Sequence, residues 1–286
     1  MKNIKSKTPA AQFFIKCGKD LPKFFTWTDK NNTNCSIDYI KDQSGCGSCW
    51  AVASVSALED RFCIQSKGKI KAKLSSGYVM SCDTQNYGCY GGYLDYAHNF
   101  FVNNGVITGG DFESDEGCQP YPIQPCTYSN GRPNRMPCLN PFTPKCRNKK
   151  CTNDWYKYRY EPDEYTYKAR KYKFVNGGFF ETDECAIQKE IYKNGPVTSG
   201  FLVLNDFVYY KEGIYNPVGW NILGAHAVRI VGWGVENNVK YWIVANSWGR
   251  DWGENGWFRI IRGVNAVWIE DFAISAEPLL NKIENV

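Results

Sequence analysis

The sequence predicts an α+β fold, built either as one large domain or as two lobes sharing a cleft, and three observations carry that expectation. Apolar residues recur at helical spacing in the first third, the last third reads mainly as short β-rich runs, and 286 residues suffice for a substantial core. Hydrophobic residues at 43%, charged residues at 22% and aromatics at 16% exclude disorder as the default.

The helical element comes first. Ser48 is an expected N-cap, and from Cys49 to Gly68 the residues Ala51, Val55, Leu58 and Phe62 fall on one face, with Gly68 as the expected stop. Cys49 therefore stands in the first turn of a buried helix. Residues 112 to 165 follow, rich in Cys, Pro, Tyr and Asn and with little periodicity. Five cysteines, at 118, 126, 138, 146 and 151, staple this stretch, so it reads as an ordered irregular insertion. In the last third, His226 to Trp233 and Lys240 to Trp248 are β-rich and joined by Gly234, Glu236, Asn237 and Asn238, a hairpin signal. A turn centred near residues 236 and 237 sets His226 opposite Ser247, one step from Asn246.

Charge and cysteine usage narrow the function. The net charge of +5 is spread along the chain, which points away from nucleic acid, and no stretch is long enough to span a bilayer. Thirteen cysteines beside two histidines, with a single short C-x2-C pair, favour disulfides over zinc and an oxidising compartment. Asn31-Asn32-Thr33 is a glycosylation sequon suited to secretion. Residues 1 to 20 are lysine-rich, and their apolar run from Ala10 to Ile15 is too short for a signal-peptide core.

A thiol attacks as its thiolate, and a helix N-terminus favours that form through backbone N–H groups and the positive end of the dipole. Cys49 has this position. An imidazole beside it would complete a thiolate–imidazolium pair, and a neutral amide would hold the ring without competing for the proton. The hairpin supplies both in His226 and Asn246. Singly, a buried cysteine, a lone histidine and an asparagine near a turn are ordinary structural residues; the three signals together point to nucleophilic catalysis.

These runs resemble the papain family of cysteine peptidases, and within it the cathepsin B-like group. The motifs are Asp42 to Trp50 (DQSGCGSCW), Cys89-Tyr90-Gly91-Gly92, Gly224-Ala225-His226-Ala227 and Tyr241 to Gly253 (YWIVANSWGRDWG), and the likeness runs from Leu21 to about Ser275. The resemblance implies a helical lobe and an antiparallel β-barrel lobe with the cleft between them. It implies Cys49 as nucleophile, His226 as proton carrier, Asn246 as its orienting amide and Gln43 as an oxyanion donor beside the Cys49 N–H. Gly91, Gly92, Ala227, Trp248 and Phe272 are the implied substrate-binding positions. The implied disulfides are Cys35 with Cys63, Cys46 with Cys89, Cys82 with Cys146, Cys118 with Cys151 and Cys126 with Cys138, leaving over Cys17, Cys49 and Cys185. Residues 1–20 resemble the tail of a propeptide or leader and 21–286 the catalytic domain. No cofactor or metal is implied. Peptides and proteins are the implied substrates, with cystatin-like inhibitors as partners, in a monomer that is lysosomal, endosomal or extracellular.

Two departures from cathepsin B bear on specificity. Its disulfide-closed occluding loop matches Cys126 to Cys138, but Thr127 and Tyr128 stand where it carries two adjacent histidines that hold a substrate's terminal carboxylate. Arg132 or Arg135 could bind a carboxylate or pair with Asp251, without a histidine's pH response. Endopeptidase activity is therefore expected to exceed dipeptide removal. Phe272 replaces the glutamate that accepts a basic P2 side chain, which predicts apolar P2 preference; Trp268 replaces a small residue nearby. His98 reads as structural. Two rivals stay open: a catalytically weakened homologue that binds peptides or inhibitors, and a thioredoxin-like redox protein, for which Cys46 and Cys49 lack the βαβ context.

Overall fold

A computed structural model describes residue 17 and residues 21–126, 138, 142–158, 166–176, 182–219 and 221–280. Thr127, Tyr128, Arg132 and Arg135 lie outside the described residues, as do 1–16, 18–20 and 281–286. β1 (Phe25–Thr26) is followed by α1 (Cys49–Gln65), α2 (Ser76–Cys82), α3 (Leu94–Asn103) and β2 (Val106–Ile107). Next come α4 (Asp154–Lys157), β3 (Thr166–Tyr167), β4 (Ala169–Phe174) and α5 (Glu184–Asn194). The sheet strands β5 (Val197–Leu204), β6 (Ile214–Tyr215), β7 (Ile222–Glu236), β8 (Val239–Ala245), β9 (Trp257–Ile261) and β10 (Ile274–Pro278) complete the order. No helix among the described residues is long and apolar enough to cross a membrane.

Two large hydrophobic cores mark the halves, with a smaller cluster of Cys35, Ile37, Cys63 and Val231 beside them. Trp50, Val55, Leu58 and Phe62 of α1 pack with Val79 and Met80 of α2 and Phe101 of α3. The second core joins Ile187 and Ile191 of α5 to Phe201, Trp233, Trp242 and Phe258 of the sheet. Each fully buried large side chain contributes about 1.5–3 kcal/mol of transfer free energy, so both cores are substantial. The sheet runs β4-β10-β5-β7-β8-β9-β6 with β1 added on β7; the pairings are antiparallel except β6 with β9, which is parallel.

α1 starts at Cys49, but the Ser48 side chain does not cap it. Its hydroxyl instead meets the Tyr121 hydroxyl at 2.7 Å, which leaves the helix N-terminal N–H groups free to act on Cys49. The helix ends at Gln65, and Lys67 and Gly68, both left-handed, close the reversal with the Gly68 N–H on the Cys63 carbonyl.

The hairpin departs from the expected register. Asn237 and Asn238 form the two-residue turn, both with positive φ, and Glu236 pairs with Val239. A bulge between Ile230 and Gly232 shifts the ladder, which ends at Arg229 opposite Ala245. His226 thus pairs with Phe201 of β5 and not with Ser247. Asn246 reaches it from the segment just beyond β8. α5 also lies in the third that reads as strands. Its signals were nevertheless present: the Asp183 carboxylate caps the Ala186 N–H, and Gly195, with positive φ, ends the helix before Pro196.

Six disulfides join Cys17 with Cys185, Cys35 with Cys63, Cys46 with Cys89, Cys82 with Cys146, Cys118 with Cys151 and Cys126 with Cys138. Cys17 and Cys185, left over by the family pairing, are thus partners, because Cys17 meets the first turn of α5. Proteolysis between Cys17 and Leu21 is therefore expected to leave the upstream peptide attached until a thiol reductant frees it. Intact mass before and after reduction reads this out, and loss of that peptide without reductant would contradict the pairing.

Candidate active site

Cys49 is the free cysteine among the described residues. It lies at the N-terminus of α1, where the N–H groups of Ala227, Trp50 and Cys49 itself act on its sulfur. Burial pushes the thiol up, and those three N–H groups oppose it by stabilising the thiolate. The Ala227 contact sets the sulfur beside β7, one residue from His226.

His226 is 5% exposed and held on three sides. Its Nε2 lies 2.8 Å from Asn246 Oδ1, which also accepts the Ser247 N–H at 2.8 Å. Two donors on one oxygen fix the amide orientation, so Nε2 carries the hydrogen and Nδ1 is left for chemistry. Trp248 covers the imidazole at 4.8 Å between centroids and Phe201 abuts it edge-on at 5.8 Å. Burial holds the imidazolium down, to about 4, against the opposing Asn246 hydrogen bond. Taken singly, both Cys49 and His226 favour their neutral forms; a charged pair forms only with each charge compensating the other.

Gln43 is brought to the same place by a bridge between Asp42 and Trp248, with the Gln43 N–H on the Ser247 carbonyl at 2.9 Å. Its Oε1 accepts the Ser247 hydroxyl at 2.7 Å and its Nε2 donates to the Cys46 carbonyl at 2.9 Å. An amide nitrogen has two hydrogens, so one remains beyond the bond to Cys46. Tyr121 steadies this loop, donating its hydroxyl to the Gln43 carbonyl at 2.9 Å. The contacts of Ser247 and Tyr121 with Gln43 were not among the sequence expectations. Ser247 sits inside the quoted ANSW run, whereas Tyr121 lies in the aperiodic section and carries no local signal.

The implied substrate positions sort themselves by surroundings. The Cys46–Cys89 disulfide and the Gly47 N–H on the Cys89 carbonyl hold the 89–92 turn against the Cys49 loop. Gly91 has φ 105, and a Cβ there would enter open space. A Cβ on Gly92 would strike Asn86 and Trp50, so a side chain is excluded for packing reasons. Phe272 packs its Cβ and ring over Gly200, 3.8 and 4.0 Å from where a Cβ would stand, in the wall that also carries the His226 carbonyl. Trp268 is exposed and left-handed. His98 is buried in the helical core with its Nδ1 on the Leu94 carbonyl, far in sequence from any of these residues.

Residues 21–277 match the papain family cysteine protease domain. Cathepsin B-like cysteine proteinase 6 of Caenorhabditis elegans is 39% identical over 267 residues, covering 92% of this chain and 68% of that protein. Cathepsin B-like cysteine proteinase 4 of the same organism is 43% identical over 250 residues, covering 86% and 72%. Among solved structures, procathepsin B S9 from Trypanosoma congolense superposes with a TM-score of 0.73 at 31% identity, over 91% of this chain and 78% of that one. The chain belongs to the papain family of cysteine proteases, as a cathepsin B-like hydrolase with the papain-like α+β fold.

Proposed function

We propose that the chain is a cathepsin B-like cysteine endopeptidase working through Cys49, His226 and Asn246. The observation that carries this is the His226–Asn246 pair set, through Ala227, against the lone thiol at the start of α1. Proton transfer from Cys49 to His226 Nδ1 produces the ion pair, and the thiolate adds to the peptide carbonyl. The oxyanion is received by the free Gln43 Nε2 hydrogen and the Cys49 N–H, a kind of donor worth about 3–4 kcal/mol each. His226 protonates the leaving amine, then deprotonates the water that hydrolyses the thioester. Asn246 holds the ring and Trp248 keeps water from their hydrogen bond. Gly91 and Gly92 offer the backbone strip beside which an extended peptide lies, and Ala227 closes the opposite wall. Residues 21–286 form the catalytic domain and 1–20 a propeptide or leader segment, in a monomer open to cystatin-like inhibitors, in a lysosomal, endosomal or extracellular setting.

Thr127 and Tyr128 lack the imidazoles that hold a terminal carboxylate, which supports endopeptidase over dipeptidyl carboxypeptidase action. Phe272 supplies an apolar pocket wall with no carboxylate for a cation. One peptide series, with free or amidated C-termini and Phe or Arg at P2, tests both points. The amidated Phe peptide is expected to be cleaved at least as fast as its free acid and about tenfold faster than the Arg peptide. Preference for the free acid would overturn the endopeptidase reading, and preference for Arg the reading of Phe272.

A further inference from the structure

A small cavity lies behind Asn246, on the side away from His226, between α1 and β7. Val52, Ala53 and Ser56 line it from α1, Arg229 from β7 and Ala245 with Asn246 from the end of β8; its volume is about 10 Å³, close to one water molecule. Two of its lining side chains are 4% exposed and bring a buried donor with no protein partner, Asn246 Nδ2 and Arg229 Nε. The amide cannot turn to relieve this, since Oδ1 already accepts from His226 and from the Ser247 N–H. Arg229 cannot turn either. Its Nη1 is 2.5 Å from Asp60 and its Nη2 donates to the carbonyls of Ile37 and Tyr39 at 3.1 and 2.9 Å.

Two buried donors without a partner call for an acceptor, because leaving either unpaired forfeits its hydrogen bond to water with nothing in return. A cation is excluded by the donors. An anion is disfavoured because Arg229 is already neutralised by Asp60, and Lys41, which also lines the cavity, by Glu59 at 2.9 Å. A water fits on both counts: it accepts from Arg229 Nε–H and Asn246 Nδ2–H and donates to the Ser56 hydroxyl oxygen, whose own hydrogen goes to the Val52 carbonyl at 2.7 Å. We propose that one buried water bridges Arg229 to Asn246, making Arg229 a positioning residue for His226, an inference that rests on the proposed Cys49–His226–Asn246 site. The interlobe pair of Asp60 and Arg229 is thereby coupled to the orientation of the catalytic imidazole.

A crystal structure of the whole chain tests the water directly, with one ordered water expected within about 3.2 Å of both donor atoms. A dry cavity, or a bromide-exchangeable anion there, overturns the proposal. Ala53→Val fills the cavity without touching Arg229, Asp60 or Asn246. With its melting temperature retained, it is expected to lower kcat about fivefold at unchanged KM and to move the alkaline limb of the pH–rate profile down by about half a unit. The downward sign follows because the Asn246 hydrogen bond favours the imidazolium, and a looser amide favours it less. Unchanged kcat and profile in a variant shown to have lost the water overturn the positioning role. If Ala53→Val does not fold, Ser56→Ala, which removes the water's acceptor, is read in the same way. Full activity of Asn246→Ala would instead sink the site reading itself, leaving the density to decide the water separately.

Discussion

Replacing Cys49 by alanine is expected to lower kcat/KM for peptide cleavage about 10⁴-fold or more, with peptide affinity retained. In the proposed mechanism the thiol forms the acyl intermediate, while Gln43, Gly91, Gly92 and Phe272, the residues proposed to bind substrate, all survive the substitution. The same variant reports on the ion pair. Without a thiolate beside it, His226 is left to burial, which holds its imidazolium down to about 4, so the ring is expected to be neutral from pH 7 to near pH 4. In the proposed ion pair of the parent chain a thiolate would favour the imidazolium, so the ring is expected to titrate higher there than in the variant. The chain has two histidines, so proton NMR resolves both, with His98 as the internal reference: burial pushes it to about 4 in either protein. Equal His226 titration in the parent and in Cys49→Ala would refute the ion pair, and retained turnover would refute the nucleophile.

The second large effect is expected at Arg61, where stability and not chemistry is at stake. Arg61 is 2% exposed on α1 and reaches across to the sheet lobe. It donates to the carbonyls of Gly195, Pro196 and Ala276 and to Glu190 Oε1 at 2.8 Å. Burial alone would raise the Glu190 carboxyl, but Arg61, joined by Lys173, outweighs it and holds the group at about 2. Arg61→Met leaves the Glu190 carboxylate with Lys173 and Asn194 alone and takes the donor from three buried carbonyls, and is expected to cost about 3–5 kcal/mol in denaturant unfolding at pH 7. Because Glu190 titrates lower when folded than when unfolded, its contribution is complete above about pH 4.5 and is lost as the pH falls towards 2. The stability difference between parent and variant is therefore expected to narrow as the pH falls from about 4.5 towards 2. Adding Glu190→Met should recover much of the loss. A single-variant cost below about 1 kcal/mol, or no recovery in the double variant, would show that the pair is not what joins the lobes.

The hairpin shows where local patterning stops being informative. Alternation from His226 to Trp248 identifies two strands, but the register depends on which of four turn-forming residues take positive φ and on one bulge, and both are settled by packing. A slip of this kind still left His226 near Asn246, because the asparagine reaches it through its side chain from beyond the ladder. α5 was hidden for a different reason. Its capping residues were visible, but its apolar residues Ile187 and Ile191 sit between strands, where a short amphipathic run blends into β-rich surroundings.

What the sequence by itself determined was the local chemistry: a thiol at a helix start, an imidazole on a strand, an amide and a glutamine in recognisable runs, and a cysteine count that leaves one thiol odd. These are legible because caps, periodicity and short motifs depend on neighbours a few residues away. What only the tertiary structure decided were contacts between distant segments. Ser48 turns to Tyr121, Cys17 finds Cys185, Phe201 and Trp248 enclose His226, and Arg229 comes up behind Asn246. Each depends on how the two cores are set against each other, and close packing of side chains fixes that arrangement in a way no local pattern encodes.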